Sequence, residues 1–279
     1  MKTRTISGAV FVAIVVGFFL LREYVHTQLF NILIWFFCAF GTFEVARAVR
    51  NYTNRTGFVF AVTIGIVVIP LYVVVEYFFA GYGQTAATTL LSLAVLFTLI
   101  YAMMVKSPTP SMYTLSVVYP SIFMLNLSLA NSLGGDRGFI AVLLVFVISP
   151  LADTFAYLVG MTYSKIRKGN VKKLCPKLSP KKTVAGAIGG VIGGAVGAIL
   201  IQAIFKPDLG LPLPYLIMAV IGLFGSVLTE CGDLFESYIK RKVGIKDMGK
   251  IMPGHGGVMD RIDGICFASA FTYIVFLLI

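Results

Sequence analysis

The sequence contains few charged residues for its length. Asp, Glu, Lys and Arg make up 13% of the 279 residues, whereas a soluble domain carries roughly 25%. Hydrophobic residues make up 58%, the mean hydropathy is +0.91, and no polar stretch is long enough to fold as a separate soluble domain. We therefore expect most of the surface to face lipid and the whole chain, 1–279, to form one integral membrane domain.

Cysteine and acidic residues are also scarce. The four cysteines lie far apart and form no CxxC pair, so the sequence predicts neither a disulfide framework nor a zinc site. Lysine and arginine number 23 against 12 Asp and Glu, which gives a net charge of +11. In a soluble protein this excess would suggest nucleic acid, but in a membrane protein basic residues collect in cytoplasmic loops. We therefore predict no nucleic-acid partner.

Nine apolar runs are long enough to cross a bilayer, which takes about 20 predominantly apolar residues. They lie near 6–22, 28–47, 57–80, 87–105, 112–132, 138–160, 183–205, 213–236 and 259–279. The sequence therefore predicts an all-α polytopic membrane protein with about nine transmembrane helices. The N-terminal helices, within 1–136, are expected to be a lipid-facing scaffold, and residues 137–279 are expected to carry the active site.

The basic residues fall mainly on one side of this predicted topology. With a cytoplasmic N-terminus, the cytoplasmic segments hold Lys2, Arg4, Arg47, Arg50, Arg55, Lys106, the basic residues from Lys165 to Lys182 and those from Lys240 to Arg261. Only Arg22, Arg137 and Lys206 fall outside. This bias follows the positive-inside rule. It predicts a multi-pass protein of the cell membrane (inner or plasma membrane) with its C-terminus outside.

Three acidic residues draw attention inside the predicted spans, where each costs about 2.5–3.5 kcal/mol at the bilayer centre. Asp153 lies in the sixth span just after Pro150, a helix-disrupting residue type, and an internal hydrogen bond or ion pair explains Asp153 as well as catalysis does. Glu230 and Asp233 are three residues apart in the eighth span and so share a helical face. This pair favours a functional site.

Glycines recur every four residues in the seventh span, at Gly186, Gly190 and Gly194. Small residues at this spacing let two helices approach closely. The pattern predicts a packing face rather than chemistry.

Polar residues are concentrated between Glu230 and Asp263, where half of the chain's 12 acidic residues are mixed with six Lys and Arg. Carboxylate oxygens bind Mg²⁺, and Lys and Arg neutralise phosphate charge, so this mixture suits metal-assisted phosphate chemistry. An ordinary cytoplasmic loop would explain the basic residues but not the acidic ones. Asp260 and Asp263 share a face if the ninth helix begins near Val258.

Gly256 and Gly257 immediately precede that helix and are expected to leave backbone N–H groups open to an anion. His255 beside them is consistent with a phosphate-contacting donor, an acid–base group or a turn residue. In the loop before the seventh span, Ser179-Pro180-Lys181-Lys182-Thr183 is expected to begin the helix. Lys181 and Lys182 at its start are expected to bind phosphate or anionic headgroups.

The last part of this polar region resembles the C-terminal signature of the phosphatidate cytidylyltransferase (CDP-diacylglycerol synthase) family. The signature has the form S-x-apolar-K-R-x4-K-D-x-small-x2-apolar-P-x-H-G-G-apolar-x-D-R-apolar-D. Over the 27 residues from Ser237 to Asp263, every polar position matches at the required spacing. The segments Asp153–Tyr157 and Ser179–Thr183 also resemble family segments, in the family's order.

Two positions depart from the family pattern. Met252 stands where Ile or Leu is usual, which is a conservative change. Ala185 stands where an acidic residue commonly follows the lysine pair, so any contact made by that carboxylate is missing.

The resemblance implies transfer of a cytidylyl group from CTP to phosphatidic acid with release of pyrophosphate, in a Mg²⁺-dependent reaction at a polar cavity open to the cytoplasm. It implies Asp233 and Asp260 as metal ligands; Asp263, Asp153 and Glu230 are further candidates, and a second, monovalent cation is left open. It also implies the bilayer as a partner and association as a homodimer. The expected catalytic residues are Asp233, Asp260, Asp263, Lys240, Arg241, Lys246, Asp247, His255 and Arg261. The expected phosphate-binding residues are Ser179, Lys181, Lys182, Ser237, Gly256 and Gly257.

Two alternatives remain open on the sequence alone. A related CTP-using lipid kinase or an ether-lipid cytidylyltransferase would share the nucleotide site and differ in the acceptor. A cation-coupled membrane transporter would also carry intramembrane acids and lysines, although here the polar residues cluster on one side of the bilayer.

Overall fold

The structure is a computed structural model that describes residues 2–252, 254 and 256–279, with side chains from Ile6 onward. The described residues form nine α-helices that are long and apolar enough to cross a membrane. In chain order these are α1 (Lys2–Tyr24), α2 (Phe30–Ala48), α3 (Arg55–Phe78), α4 (Gly83–Met104), α5 (Pro110–Asn131), α6 (Gly135–Ile166), α7 (Val184–Phe205), α8 (Pro214–Lys242) and α9 (Met259–Leu278). The predicted all-α polytopic membrane fold is confirmed.

Two helices extend beyond the predicted apolar spans. α6 continues to Ile166 and α8 to Lys242, whereas hydropathy predicted ends near 160 and 236. A helix does not have to end where the hydrocarbon ends, and the three basic residues in the last turn of α8 interact favourably with the helix dipole. α6 runs through Pro150, in agreement with the single span predicted over 138–160.

The segment before α7 forms a strand rather than the predicted start of a helix. β1 (Lys173–Cys175) and β2 (Ser179–Thr183) pair in an antiparallel hairpin, with Lys173 opposite Thr183. Pro180 restrains the preceding residue to an extended conformation, which favours β2. Thr183 then caps α7, since its hydroxyl accepts a hydrogen bond from the Gly186 N–H at 3.0 Å.

The chain divides into two compact units, and whether they act as one membrane domain stays a prediction. The first contains the residues up to Ser132 together with Val243–Ile262. Within it, α2 packs against α3 and α5, and α3 packs against α4. At one end of this unit, the buried Arg22 donates from Nε to Asn131 Oδ1 at 2.8 Å. The second unit contains Leu133–Lys242 and Asp263–Ile279.

Close packing of α7 organises the second unit. A Cβ placed at Gly193 would lie 2.7 Å from Cβ of Phe155 on α6, and one at Gly186 would lie 2.8 Å from the carbonyl oxygen of Ala156. α7 also packs closely against α8, since a Cβ at Gly194 would collide with Ser226. Only glycine permits these separations, so the predicted packing role of the glycine series is confirmed.

Candidate active site

Lys182, at the end of β2, forms ion pairs with two acidic residues of α8. Its Nζ lies 2.8 Å from Oε2 of Glu230 and also forms an ion pair with Asp233. The side chains of Lys182 and Glu230 are 22% and 10% exposed. Burial opposes the charge on the ammonium group, but Asp233 and Glu230 raise the pKa of Lys182 above the ordinary range of lysine. Lys182 is therefore a permanent cation near neutral pH.

Helix α8 presents its polar side chains at helical spacing. Glu230, Asp233, Ser237 and Lys240 follow one another at intervals of three or four residues, which places them along one face. Glu230, Ser237 and Glu236 are buried. The predicted common face of Glu230 and Asp233 is thus present, and it continues toward the end of the helix.

Three carboxylates from α8 and α9 form a compact cluster in the second unit. Asp233, Glu236 and Asp263 each offer an oxygen, and these atoms lie within 4.8 Å of one another. The helices approach closely at two glycines: a Cβ at Gly232 would collide with the carbonyl oxygen of Asp263, and one at Gly264 would lie 2.6 Å from Thr229 Cγ2. Glycine at these two positions lets α8 and α9 approach closely enough for their carboxylates to form one cluster.

The net charge around this cluster favours the binding of a divalent cation. Lys182 pairs with Glu230 and Asp233, and Lys240 pairs with Glu236. With Asp263, these ion pairs comprise four carboxylates and two ammonium groups, which gives a net charge of about −2 when all are ionised. Carboxylate oxygens are also the ligands that hard divalent cations prefer. The donor set therefore fits a divalent metal ion.

A cavity of about 300 Å³ lies beside Lys182 in the same unit. Its polar lining includes Asp153, Lys181, Lys182 and Glu230, and glycines of α6 and α7 also line it. Asp153 is exposed at this cavity and does not belong to the carboxylate cluster. The aromatic side chain of Tyr157, which is 67% exposed, also lines it. The lining of the cavity thus combines cationic side chains with residues of an apolar, exposed helix surface.

The hairpin is attached to α8 by a further expected residue. Arg241 Nε donates a hydrogen bond to the carbonyl oxygen of Leu178, in the turn between the strands, at 3.4 Å. Ser179 lies in β2, which ends in the lysine pair. The hairpin, not a helix N-terminus, thus presents Lys181 and Lys182 to the cavity.

The remaining expected residues belong to the first unit. Asp260 Oδ2 accepts hydrogen bonds from the backbone N–H of Met248 at 2.9 Å and of Gly257 at 2.8 Å. The Gly257 N–H, expected to be open to an anion, is therefore engaged by the acidic residue that follows it. Gly256 has a φ of +90°, a conformation that favours glycine.

Three of the expected residues in this segment are exposed: Lys246, Asp247 and Arg261. His255 and Pro253 lie outside the described residues, so the expected role of His255 stays a prediction. So does the sharing of one metal ion by Asp233 and Asp260, which belong to different units.

Two buried carboxylates, Glu236 and Glu44, were not among the residues expected from the sequence. Glu236 could have been found from its spacing, because it lies three residues after Asp233 and four before Lys240. Glu44 lies in the second predicted span, where any ionisable residue is a functional candidate. Its carboxylate accepts a hydrogen bond from the Met259 N–H at 2.8 Å.

The fold and the site define a polytopic membrane protein with a carboxylate cluster and lysines suited to metal and phosphate. The profile of the cytidylyltransferase family matches residues 2–279. The chain belongs to this family, which makes it a nucleotidyltransferase with CTP and a membrane lipid as the implied substrates.

Curated relatives agree with this assignment. A protein of Bacillus subtilis is 31% identical over 279 residues, covering 98% of this chain and 96% of the relative. A protein of Brucella abortus is 37% identical over 158 residues, or 56% of this chain and 53% of its own length. One of Thermotoga maritima is 27% identical over 168 residues, or 60% and 59%. All three are named phosphatidate cytidylyltransferase. The predicted family resemblance is confirmed, and the relatives' shared name states the predicted activity.

Proposed function

We propose that this protein transfers the cytidylyl group of CTP to phosphatidic acid, forming CDP-diacylglycerol and releasing pyrophosphate. The observation that carries the proposal is the cluster of Asp233, Glu236 and Asp263 within 4.8 Å of one another, in the same unit as the half-buried Lys182. Family membership supplies the nucleotide chemistry, and the membrane-spanning helices place it where the lipid substrate resides. Phosphatidic acid is also the acceptor in the name that the relatives share.

We propose Mg²⁺ as the ion of the carboxylate cluster. Asp233, Glu236 and Asp263 would hold it, and Asp260 and Glu230 remain candidates for a further ligand. When bound, Mg²⁺ polarises the α-phosphate of CTP and stabilises the leaving pyrophosphate. A second, monovalent cation remains part of the proposal.

The chain's own cations would act on the phosphates. A phosphate monoester loses its second proton near pH 6, so phosphatidic acid is already a nucleophile at neutral pH and needs no strong base. Its phosphate oxygen forms the new bond to the α-phosphorus as the bond to the bridging oxygen of pyrophosphate breaks. Lys181, Lys182 and Arg241 would neutralise the charge that develops. The roles expected for Lys240, Lys246, Asp247 and Arg261 stay predictions.

We propose that this site faces the cytoplasm. The basic residues from Lys165 to Lys182 and from Lys240 to Lys250 flank it in the sequence, and short loops rich in lysine and arginine are retained in the cytoplasm. This orientation gives the site access to cytoplasmic CTP. The cytoplasmic N-terminus, the external C-terminus and the homodimer stay predictions.

The reaction is tested with purified protein, phosphatidic acid and CTP labelled at either the α- or the γ-phosphate, with and without Mg²⁺. We expect the α-label in lipid and the γ-label in pyrophosphate, only with the metal. Asp233→Asn and Asp260→Asn should each abolish turnover while the protein remains folded. The exposed Asp208 of the α7–α8 loop provides a matched control, Asp208→Asn, which should retain activity.

The alternatives give different results in the same experiment. Transfer of the γ-label to lipid would identify a lipid kinase and contradict the proposal. Ion flux into sealed vesicles without pyrophosphate release would identify a transporter. A preference for an ether lipid in a screen of acceptors would correct the acceptor alone.

A further inference from the structure

Glu44 on α2 is a buried carboxylate that binds the backbone of the signature segment. The residue is 1% exposed. Its Oε2 accepts a hydrogen bond from the Met259 N–H at 2.8 Å, and the backbone amide of Val258 donates to the same carboxylate. Its Oε1 has no hydrogen-bond partner among the described residues. Glu44 thus contacts the start of α9 from a helix more than 200 residues earlier in the chain.

The signature segment has small residues where Glu44 meets it. A Cβ placed at Gly249 or at Gly257 would collide with the Glu44 carboxylate. Both glycines have ordinary, negative φ values, since neither is among the positive-φ residues. Space for Glu44, rather than backbone conformation, therefore accounts for glycine at these two positions.

Glu44 and Asp260 bind neighbouring amides of the same short segment. Asp260 Oδ2 accepts from the N–H of Gly257 at 2.8 Å, and Glu44 accepts from the next two residues. The two carboxylates together hold the three residues from Gly257 to Met259. Loss of the Glu44 contacts would free the turn that orients the Asp260 side chain.

A carboxylate is an expensive means of packing a membrane helix. An acidic residue in a span costs about 2.5–3.5 kcal/mol on insertion scales, and an aliphatic residue would fill the same volume without that cost. The cost is offset here because the N–H groups at the start of α9 and the positive end of its dipole favour negative charge. These contacts would be lost with any apolar residue.

We propose that Glu44 is a positioning residue that fixes the signature segment and, through it, Asp260. This inference rests on the proposed function for its catalytic consequence, but the attachment of the segment to α2 is independent of that function. Residues that orient a metal- or phosphate-binding carboxylate typically contribute 10–100-fold to affinity or activity, on the order seen for outer-shell partners.

The experiment compares Glu44→Gln and Glu44→Asp with a matched control, Glu76→Gln. Glu76 is also a helix glutamate of the first unit that accepts from two backbone N–H groups, those of Gly81 at 2.9 Å and Gly83 at 3.0 Å. The purified proteins are compared by hydrogen–deuterium exchange of peptides covering 246–262 and 79–83, and by initial rates against CTP concentration.

We expect Glu44→Gln to accelerate exchange in 246–262 and to raise the KM for CTP by about tenfold, with a smaller fall in kcat. Glu44→Asp keeps the charge and should recover part of both. Glu76→Gln should accelerate exchange only in 79–83 and leave the KM unchanged. A purely structural glutamate would change thermal stability but not the KM.

Two outcomes would overturn the proposal. One is unchanged exchange in 246–262 in Glu44→Gln; the other is accelerated exchange with wild-type kinetics. If the wild-type protein forms no CDP-diacylglycerol, the proposed function fails separately. In that case the exchange measurement alone still decides whether Glu44 holds the segment.

Discussion

Lys182 Nζ lies 2.8 Å from Glu230 Oε2, although the two residues are 48 positions apart in the chain. The same ammonium group pairs with Asp233. A lysine of a surface hairpin is thus held against two acids of a membrane-spanning helix. This arrangement connects the lining of the cavity to the carboxylate cluster and leads to the first two predictions.

Substitution of Lys182 should lower both activity and stability, and a second substitution at Glu230 should restore only the stability. Lys182→Met is expected to lower kcat/KM by about 100-fold, because a cation directed at developing phosphate charge is lost. It should also lower the Tm, because Glu230 and Asp233 are left unpaired. The double variant Lys182→Met/Glu230→Gln should recover part of the Tm but none of the activity. Lys177→Met, in the turn of the hairpin, is the control and should resemble the wild type.

The stabilising effect of Lys182 should not depend on pH near neutrality. The pKa of Lys182 is raised above its ordinary value by Asp233 and Glu230, against the effect of burial. Its contribution is therefore fully present below the unfolded-state pKa, about 10.4, and is lost as the pH rises through the folded-state pKa. The difference in Tm between wild type and Lys182→Met should be constant from about pH 6 to about pH 9. A difference that disappears within this range would contradict the raised pKa.

Metal binding should be measurable without turnover. A ligand that binds only the folded state stabilises it by about 2.7 kcal/mol at 100 times its Kd, so Mg²⁺ should raise the Tm of the wild-type protein. Asp263→Asn removes one member of the carboxylate cluster and should abolish this shift. Asp208→Asn should keep it. A full Mg²⁺ shift in Asp263→Asn would exclude Asp263 as a ligand.

The close approach of α6 and α7 should be sensitive to a single methyl group. A Cβ at Gly193 would lie 2.7 Å from Phe155 Cβ and 2.9 Å from the Leu151 carbonyl oxygen. Gly193→Ala should therefore destabilise the protein by about 1–3 kcal/mol, a typical cost of overpacking. At Gly17 on α1 no atom lies within 4 Å of the added Cβ. Gly17→Ala should leave the Tm unchanged or raise it, and equal effects at both sites would contradict the packing assignment.

The parts of the fold predicted correctly depend on local patterns. Runs of apolar residues identified the nine spans found among the described residues, because a helix in lipid satisfies its own backbone groups and needs only length and hydrophobicity. The errors lie in polar segments. Hydropathy does not indicate that α8 continues to Lys242, nor that Ser179–Thr183 pairs with β1, since a strand of this hairpin is stabilised by its partner.

The candidate site was predicted in part for the same reason. Glu230 and Asp233 were recognised because charge inside a span is costly wherever it occurs. Glu236 was passed over, although its carboxylate lies with those of Asp233 and Asp263. The expected open amide of Gly257 was wrong, because the side chain of Asp260 turns back to accept its hydrogen.

The amino-acid sequence by itself determined that most of the surface faces lipid. It also determined the number of helices, the family and the residue types available for phosphate and metal chemistry. All of these depend on composition, on runs of about 20 apolar residues and on the spacing of one short signature. Only the tertiary structure decided which charges meet: Lys182 with Glu230, Asp263 with Glu236, and Glu44 with the start of α9. These pairings depend on how closely the helices pack, and that distance is set by glycines such as Gly232 and Gly264, whose partners in space lie far away in the chain.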